Sequence, residues 1–62
     1  MLTTRQREIL RLISEGYRTA WIAAALGIKP ETVNAHILRI REKLNAKSNA
    51  HAVALAKDLG IL

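Results

Sequence analysis

Residues 19–45, TAWIAAALGIKPETVNAHILRIREKLN, decide the fold. The first part carries Ile22, Ala23 and Leu26 at helical spacing and is closed by Gly27, a residue suited to the left-handed position past a helix end. After Gly27-Ile28-Lys29 a second helix opens at Pro30. Proline is favoured at a first helical position because its missing N–H would have had no partner there. Val33, Ile37, Ile40 and Leu44 then recur at intervals of four, three and four, a narrow apolar stripe that must face a core. The opposite face carries Glu31, Ala35, Leu38, Arg39 and Glu42, with Asn34 at its flank. Two helices joined by so short a turn form the frame of a helix-turn-helix.

Outward from this frame the chain predicts two more helices. Helix 1 is expected over Thr4–Glu15: Thr3 is a good N-cap, and Gln6, three residues on, completes a capping box. Ile9, Leu10, Leu12 and Ile13 form its apolar face, Gly16 ends it, and Tyr17 is placed to fold back near Leu12. Helix 2 is expected over Ala20–Leu26 with Thr19 as cap. Its Ala23, Ala24 and Ala25 are small enough to let a crossing helix come close. Helix 3 runs from Pro30 to Leu44 or Asn45. Helix 4 follows Ser48, runs to Asp58 or Leu59 and stops at Gly60. The fold class is all-α, four helices in one domain over residues 1–62.

Bulk properties narrow the function. A chain of 62 residues can bury only about 60% of its unfolded surface. With no cysteine it has no disulfide or thiolate site to staple it, so helix packing must supply the stability. Ten Lys+Arg stand against five Asp+Glu, a net charge of +5 that calls for an anionic partner. No apolar run approaches the roughly 20 residues of a membrane span. Met1–Arg5 lacks the apolar stretch of a secretory signal. A cytoplasmic location without a membrane partner is expected. A helix-turn-helix on a basic body reads as a double-stranded DNA-binding module whose third helix enters the major groove.

An ordered set of landmarks carries a family resemblance. Leu2-Thr3, Arg5, Glu8-Ile9-Leu10, Gly16, Ile22-Ala23, Leu26-Gly27-Ile28, Thr32-Val33, His36, Lys43-Leu44, Ala52-Val53 and Gly60 together resemble the LuxR/GerE-type helix-turn-helix domain over essentially the whole chain. The most specific part is Thr32-Val33-x-x-His36 followed by Lys43-Leu44. The resemblance implies an output domain of transcription regulators, including response regulators and quorum sensors. In that family the third helix is the recognition helix and the fourth often mediates dimerisation. It places base contacts at Asn34, Ala35 and Leu38, and phosphate contacts near Thr19, Thr32, Lys43 and Lys47. It also implies a homodimer, weak in solution and tighter on DNA.

Five positions depart from the family pattern: Trp21, Lys29, Asn34, Asn49 and His51. Lys29 replaces the Ser or Thr that caps helix 3, and a lysine cannot accept a hydrogen bond. It adds a cation instead. His51 stands where an acidic residue would complete a cap with Ser48.

Each residue has a functional and a plain reading. The Asn34 amide suits the adenine edge, and Ala35 and Leu38 suit thymine methyl groups. The alternatives are a solvated Asn and a Leu packed on a neighbour. Lys29, Arg39, Arg41, Lys43 and Lys47 cluster in the helix 3 half, which favours phosphate neutralisation by several of them. Arg7 and Arg11 can pair with Glu8 and Glu15 along helix 1. His36 is expected half-buried, packing and hydrogen-bonding, and His51 exposed. On helix 4, Ala50, Ala54 and Lys57 form a candidate dimer surface, or simply a solvent face rich in a good helix former. Trp21 is either an exposed stacking ring or a cover for a helix seam.

Two other functions stay open: a sigma-factor region 4-like promoter-binding module, which adds RNA polymerase as a partner, and a protein-interaction module that has lost DNA reading. No nucleophile–base pair, carboxylate pair, phosphate loop or metal cluster can be assembled, so neither an enzyme, a cofactor nor a metal is expected.

Overall fold

The computed structural model covers residues 1–62 and contains four helices and no strand: α1 Thr4–Ser14, α2 Thr19–Leu26, α3 Pro30–Leu44 and α4 Asn49–Asp58. The expected elements are all present. Two ends differ by a residue: α1 stops at Ser14, and α2 begins at Thr19 rather than Ala20.

Local chemistry explains where each helix starts and stops. At α1 the capping box forms in full. Gln6 N–H donates to Thr3 Oγ1 at 3.1 Å, and Thr3 N–H donates to Gln6 Oε1 at 3.0 Å. At α4 Ser48 Oγ accepts from His51 N–H at 3.0 Å. All four C-termini close with the same double hydrogen bond. After α2, for example, Ile28 N–H donates to Ala23 O and Gly27 N–H to Ala24 O. The motif needs a left-handed residue. Gly27 supplies it at φ +69, while α3 uses Asn45 at φ +54, the one non-glycine residue with positive φ.

The core draws on every helix. Ile9 and Leu10 of α1, Ile22 and Ala23 of α2, Val33, Ile37 and Ile40 of α3, and Ala52 and Ala56 of α4 are buried, joined by Leu2 ahead of α1. Leu44 is half-buried against them, so the stripe of α3 faces inward along its whole length. α1 and α3 each pack on the other three helices, whereas α2 and α4 lie apart. The only fully buried residues of α4 are two alanines, which lets that helix sit close to its neighbours. In α2 the small-residue expectation holds only for Ala23, because Ala24 and Ala25 are exposed.

Three side chains make contacts that the sequence alone leaves open. Tyr17 folds back on the last turn as expected, its N–H bonded to Leu12 O, and its partly exposed ring stacks on Trp21. Arg5, not Arg7 or Arg11, pairs with Glu8, at 3.2 Å; Arg7 and Arg11 have no ion pair. Gln6 is 4% exposed, the one buried polar residue, and its Oε1 accepts two hydrogen bonds, from Thr3 N–H and from Lys43 Nζ.

Candidate nucleic-acid interface

The outward face of α3 is open. Asn34, Ala35, Leu38 and Arg39 are all exposed, and Leu38 keeps 60% of its surface although it is a large apolar residue. Ile37, its neighbour in sequence, is 8% exposed. The helix therefore changes within one residue from core to an unpartnered surface, as the stripe predicts. No side-chain hydrogen bond within the protein engages Asn34.

The starts of α2 and α3 differ from those of α1 and α4. Thr19 was expected to cap α2, but it lies inside the helix, and Arg18 occupies the N-cap position with no side-chain hydrogen bond. At α3 Lys29 occupies the N-cap, also without one, as a residue lacking an acceptor must. Both helices of the helix-turn-helix therefore begin without a side-chain cap and with a cation at the N-cap position; α2 leaves the N–H groups of Thr19, Ala20 and Trp21 without an acceptor, whereas at α3 Pro30 has no N–H and Thr32 N–H donates to Lys29 O, so Glu31 N–H alone stays free. In the isolated protein this is unfavourable twice over. Each missing acceptor forgoes about 1 kcal/mol, and a positive side chain opposes the positive end of the helix dipole. An anion placed there relieves both problems, since free N–H groups and a cation together make a phosphate site. Sequence reasoning missed Arg18 because Thr19 is the better capping residue and drew the assignment to itself.

Lys47 is held by its backbone. Its carbonyl accepts from Arg41 Nη2 at 2.8 Å, and its N–H donates to His51 Nδ1 at 3.0 Å. Two neighbours thus fix the α3–α4 turn, leaving the exposed Lys47 side chain to project from a set point. The sequence predicts neither role: its cluster of cations places Arg41 on phosphate, and its pattern predicts an exposed His51, which is half-buried. The ring nitrogen of His51 accepts from the residue before the cap, not from Ser48 N–H as the carboxylate of a capping box would.

Lys43 is also partly engaged. Its Nζ donates to Gln6 Oε1 at 2.9 Å and to Met1 O at 3.2 Å, tying the end of α3 to the start of α1. An ammonium has three donors, so one remains. Thr19 is half-buried, Thr32 and Arg39 are exposed, and none of the three side chains hydrogen-bonds within the protein. His36 is half-buried as expected, but its enclosed Nδ1 meets no hydrogen-bond partner. Ala50, Ala54 and Lys57 all lie exposed on the side of α4 away from Ala52 and Ala56.

Residues 1–56 match the bacterial regulatory proteins of the luxR family. The chain belongs to that family. Its architecture is the family's DNA-binding helix-turn-helix, with α2 and α3 as the two helices of the motif. Among curated LuxR-family relatives it is 41% identical over 59 residues to the transcriptional regulatory protein DesR of Bacillus subtilis, covering 95% of this chain and 30% of that protein. To the probable transcriptional regulatory protein NarL of Mycobacterium tuberculosis it is 43% identical over 56 residues, 90% of this chain and 26% of that one. To the response regulator protein VraR of Staphylococcus aureus it is 43% identical over 56 residues, 90% and 27%. The chain thus spans less than a third of the length of these relatives. LuxR-family membership decides between the first reading of the sequence and the sigma-factor-like alternative. No helix is long and apolar enough to cross a membrane.

Proposed function

We propose that this LuxR-type domain reads a specific sequence in double-stranded DNA as the output part of a transcription regulator. α3 enters the major groove. Asn34 pairs with an adenine edge, and Ala35 and Leu38 lie against thymine methyl groups. Arg18, Thr19, Lys29, Thr32, Arg39, the third donor of Lys43 and the Lys47 side chain meet phosphates. The observation that carries this reading is the pair of uncapped helix starts with cations at their N-cap positions, both within the helix-turn-helix. Folding alone gives no reason for this arrangement, and local disfavour of this kind is characteristic of functional sites.

Two copies bind half-sites about one helical turn apart. Ala50, Ala54 and Lys57 of α4 meet across the dimer. A surface this small supports only weak association away from DNA. The regulator works in the cytoplasm.

Selection of bound duplexes from a random pool, followed by titration in salt, tests the proposal. A recovered consensus with two half-sites is expected. Affinity should fall between 50 and 200 mM salt by about 40-fold if three phosphates are neutralised and by about 500-fold if all five cations neutralise one. Recovery of no consensus, or an affinity indifferent to salt, would refute DNA reading and favour a protein-interaction role.

A further inference from the structure

The domain carries an apolar groove between α1 and α2. Its floor is Leu12 of α1, Trp21, Ala25 and Leu26 of α2, and Ile61 beyond α4, and it encloses about 600 Å³. No residue of α3 lines it. α2 is apolar around its whole circumference, apart from Thr19 at its start. A helix of that kind is normally buried on all sides. Here Ala20, Trp21, Ala24 and Ala25 are exposed. Trp21 is 49% exposed, and its ring stacks on Tyr17 with centroids 4.0 Å apart and planes at 16°. The stack fixes the indole at the groove edge, with a preset orientation and little entropy left to lose on contact.

The charges at the groove select the occupant. Arg7 and Arg11 line it, and neither has an ion pair or a side-chain hydrogen bond. Glu8, its only carboxylate, is already paired with Arg5. A second copy seated symmetrically on this groove would bring four unpaired arginines together, which like-charge repulsion disfavours. An open trough between two helices, apolar along its floor and cationic along its rim, matches an amphipathic helix with carboxylates beside its apolar stripe.

We propose that the α1–α2 groove docks an acidic amphipathic helix of another protein, its apolar side chains against Trp21 and Leu12 and its carboxylates on Arg7 and Arg11. The groove shares no lining residue with the base-contacting face of α3, although Trp21 stands in the first turn of α2 beside Arg18.

Trp21 is the only tryptophan, so its emission reports directly on the groove. The probe is a synthetic peptide of about 18 residues, long enough to be helical. It carries leucines at helical spacing and glutamates on both sides of them. Titrating it into the 62-residue protein should shift Trp21 emission to the blue, with saturation and a loss of affinity as salt rises. The same peptide with lysine for each glutamate should not bind. The double variant Arg7→Glu/Arg11→Glu should lose at least about tenfold in affinity for the acidic peptide and gain affinity for the basic one. Both arginines are exposed and make neither an ion pair nor a side-chain hydrogen bond, and Arg7→Gln/Arg11→Gln repeats the test with a milder change. Absence of the shift, or equal binding by the charge-reversed pair, overturns the proposal. So does sedimentation showing a dimer of the protein alone that Trp21→Ser dissolves, which would assign the groove to a second copy.

Discussion

Truncating two adjacent residues of α3 tests whether that helix is rolled as described. Ile37 is 8% exposed and belongs to the core, while Leu38 keeps 60% of its surface. Replacing a buried Ile with Ala removes transfer free energy and leaves a cavity, at a cost of about 2–5 kcal/mol. At about 0.05–0.15 kcal/mol per residue, the whole chain is stable by roughly 3–9 kcal/mol. Ile37→Ala should therefore remove about a fifth of the stability or more, and at the low end of that stability leave the protein largely unfolded at 25 °C. Leu38→Ala changes a surface that is mostly wet and should shift stability by less than about 0.5 kcal/mol. DNA affinity should separate the pair the other way. Losing an apolar contact worth about 1 kcal/mol weakens Leu38→Ala about fivefold for its selected site. Ile37→Ala, corrected for its folded fraction, should bind as the parent does. Urea denaturation followed by circular dichroism and fluorescence anisotropy with labelled duplex measure the two quantities. Comparable unfolding of both variants, or a neutral Ile37→Ala, would mean that α3 is turned about its axis and that the assigned outward face is wrong.

Lys29→Ser should supply the acceptor that α3 lacks, raising stability by about 1 kcal/mol while lowering the slope of log affinity against log salt by about 0.9; denaturation and salt titration measure the exchange, and a stabilised variant with an unchanged slope would remove Lys29 from the phosphate contacts. Gly27→Ala meets no atom within 4 Å of the added carbon but must hold φ +69, so its cost is the backbone term alone, about 1–2 kcal/mol; a thermal melt showing no loss would mean that the turn relaxes. Thr3→Ala removes the acceptor for Gln6 N–H and should cost about 1 kcal/mol in urea denaturation, with DNA affinity unchanged once the folded fraction is taken into account.

The periodicity and the caps were enough to define the four helices. Spacing at Val33, Ile37, Ile40 and Leu44 is a property of the chain, and a helix with that pattern has only one side it can bury. Thr3 with Gln6, Pro30, Ser48 and Gly27 act on residues within a few positions of themselves, so their effects are readable locally. The outward placement of Asn34, Ala35 and Leu38 followed from the same wheel, and the family resemblance added roles that no wheel could supply.

What the linear order could not show depends on residues distant in sequence, or on competition between neighbours. Thr19 is the better capping residue by type, yet packing starts α2 one position earlier and leaves Arg18 at its mouth. Lys43 meets Gln6 and Met1 only because α3 ends beside the start of α1. Arg41 and His51 converge on Lys47 only because a left-handed Asn45 turns the chain back. Trp21 is exposed because α2 and α4 do not touch, which leaves no helix to cover that side of α2. Sequence by itself determined which side of each helix is apolar, since helical geometry is a local, repeating constraint. Only the tertiary structure decided which polar groups engage one another and which apolar side stays uncovered, because both depend on the mutual placement of helices that share one small core.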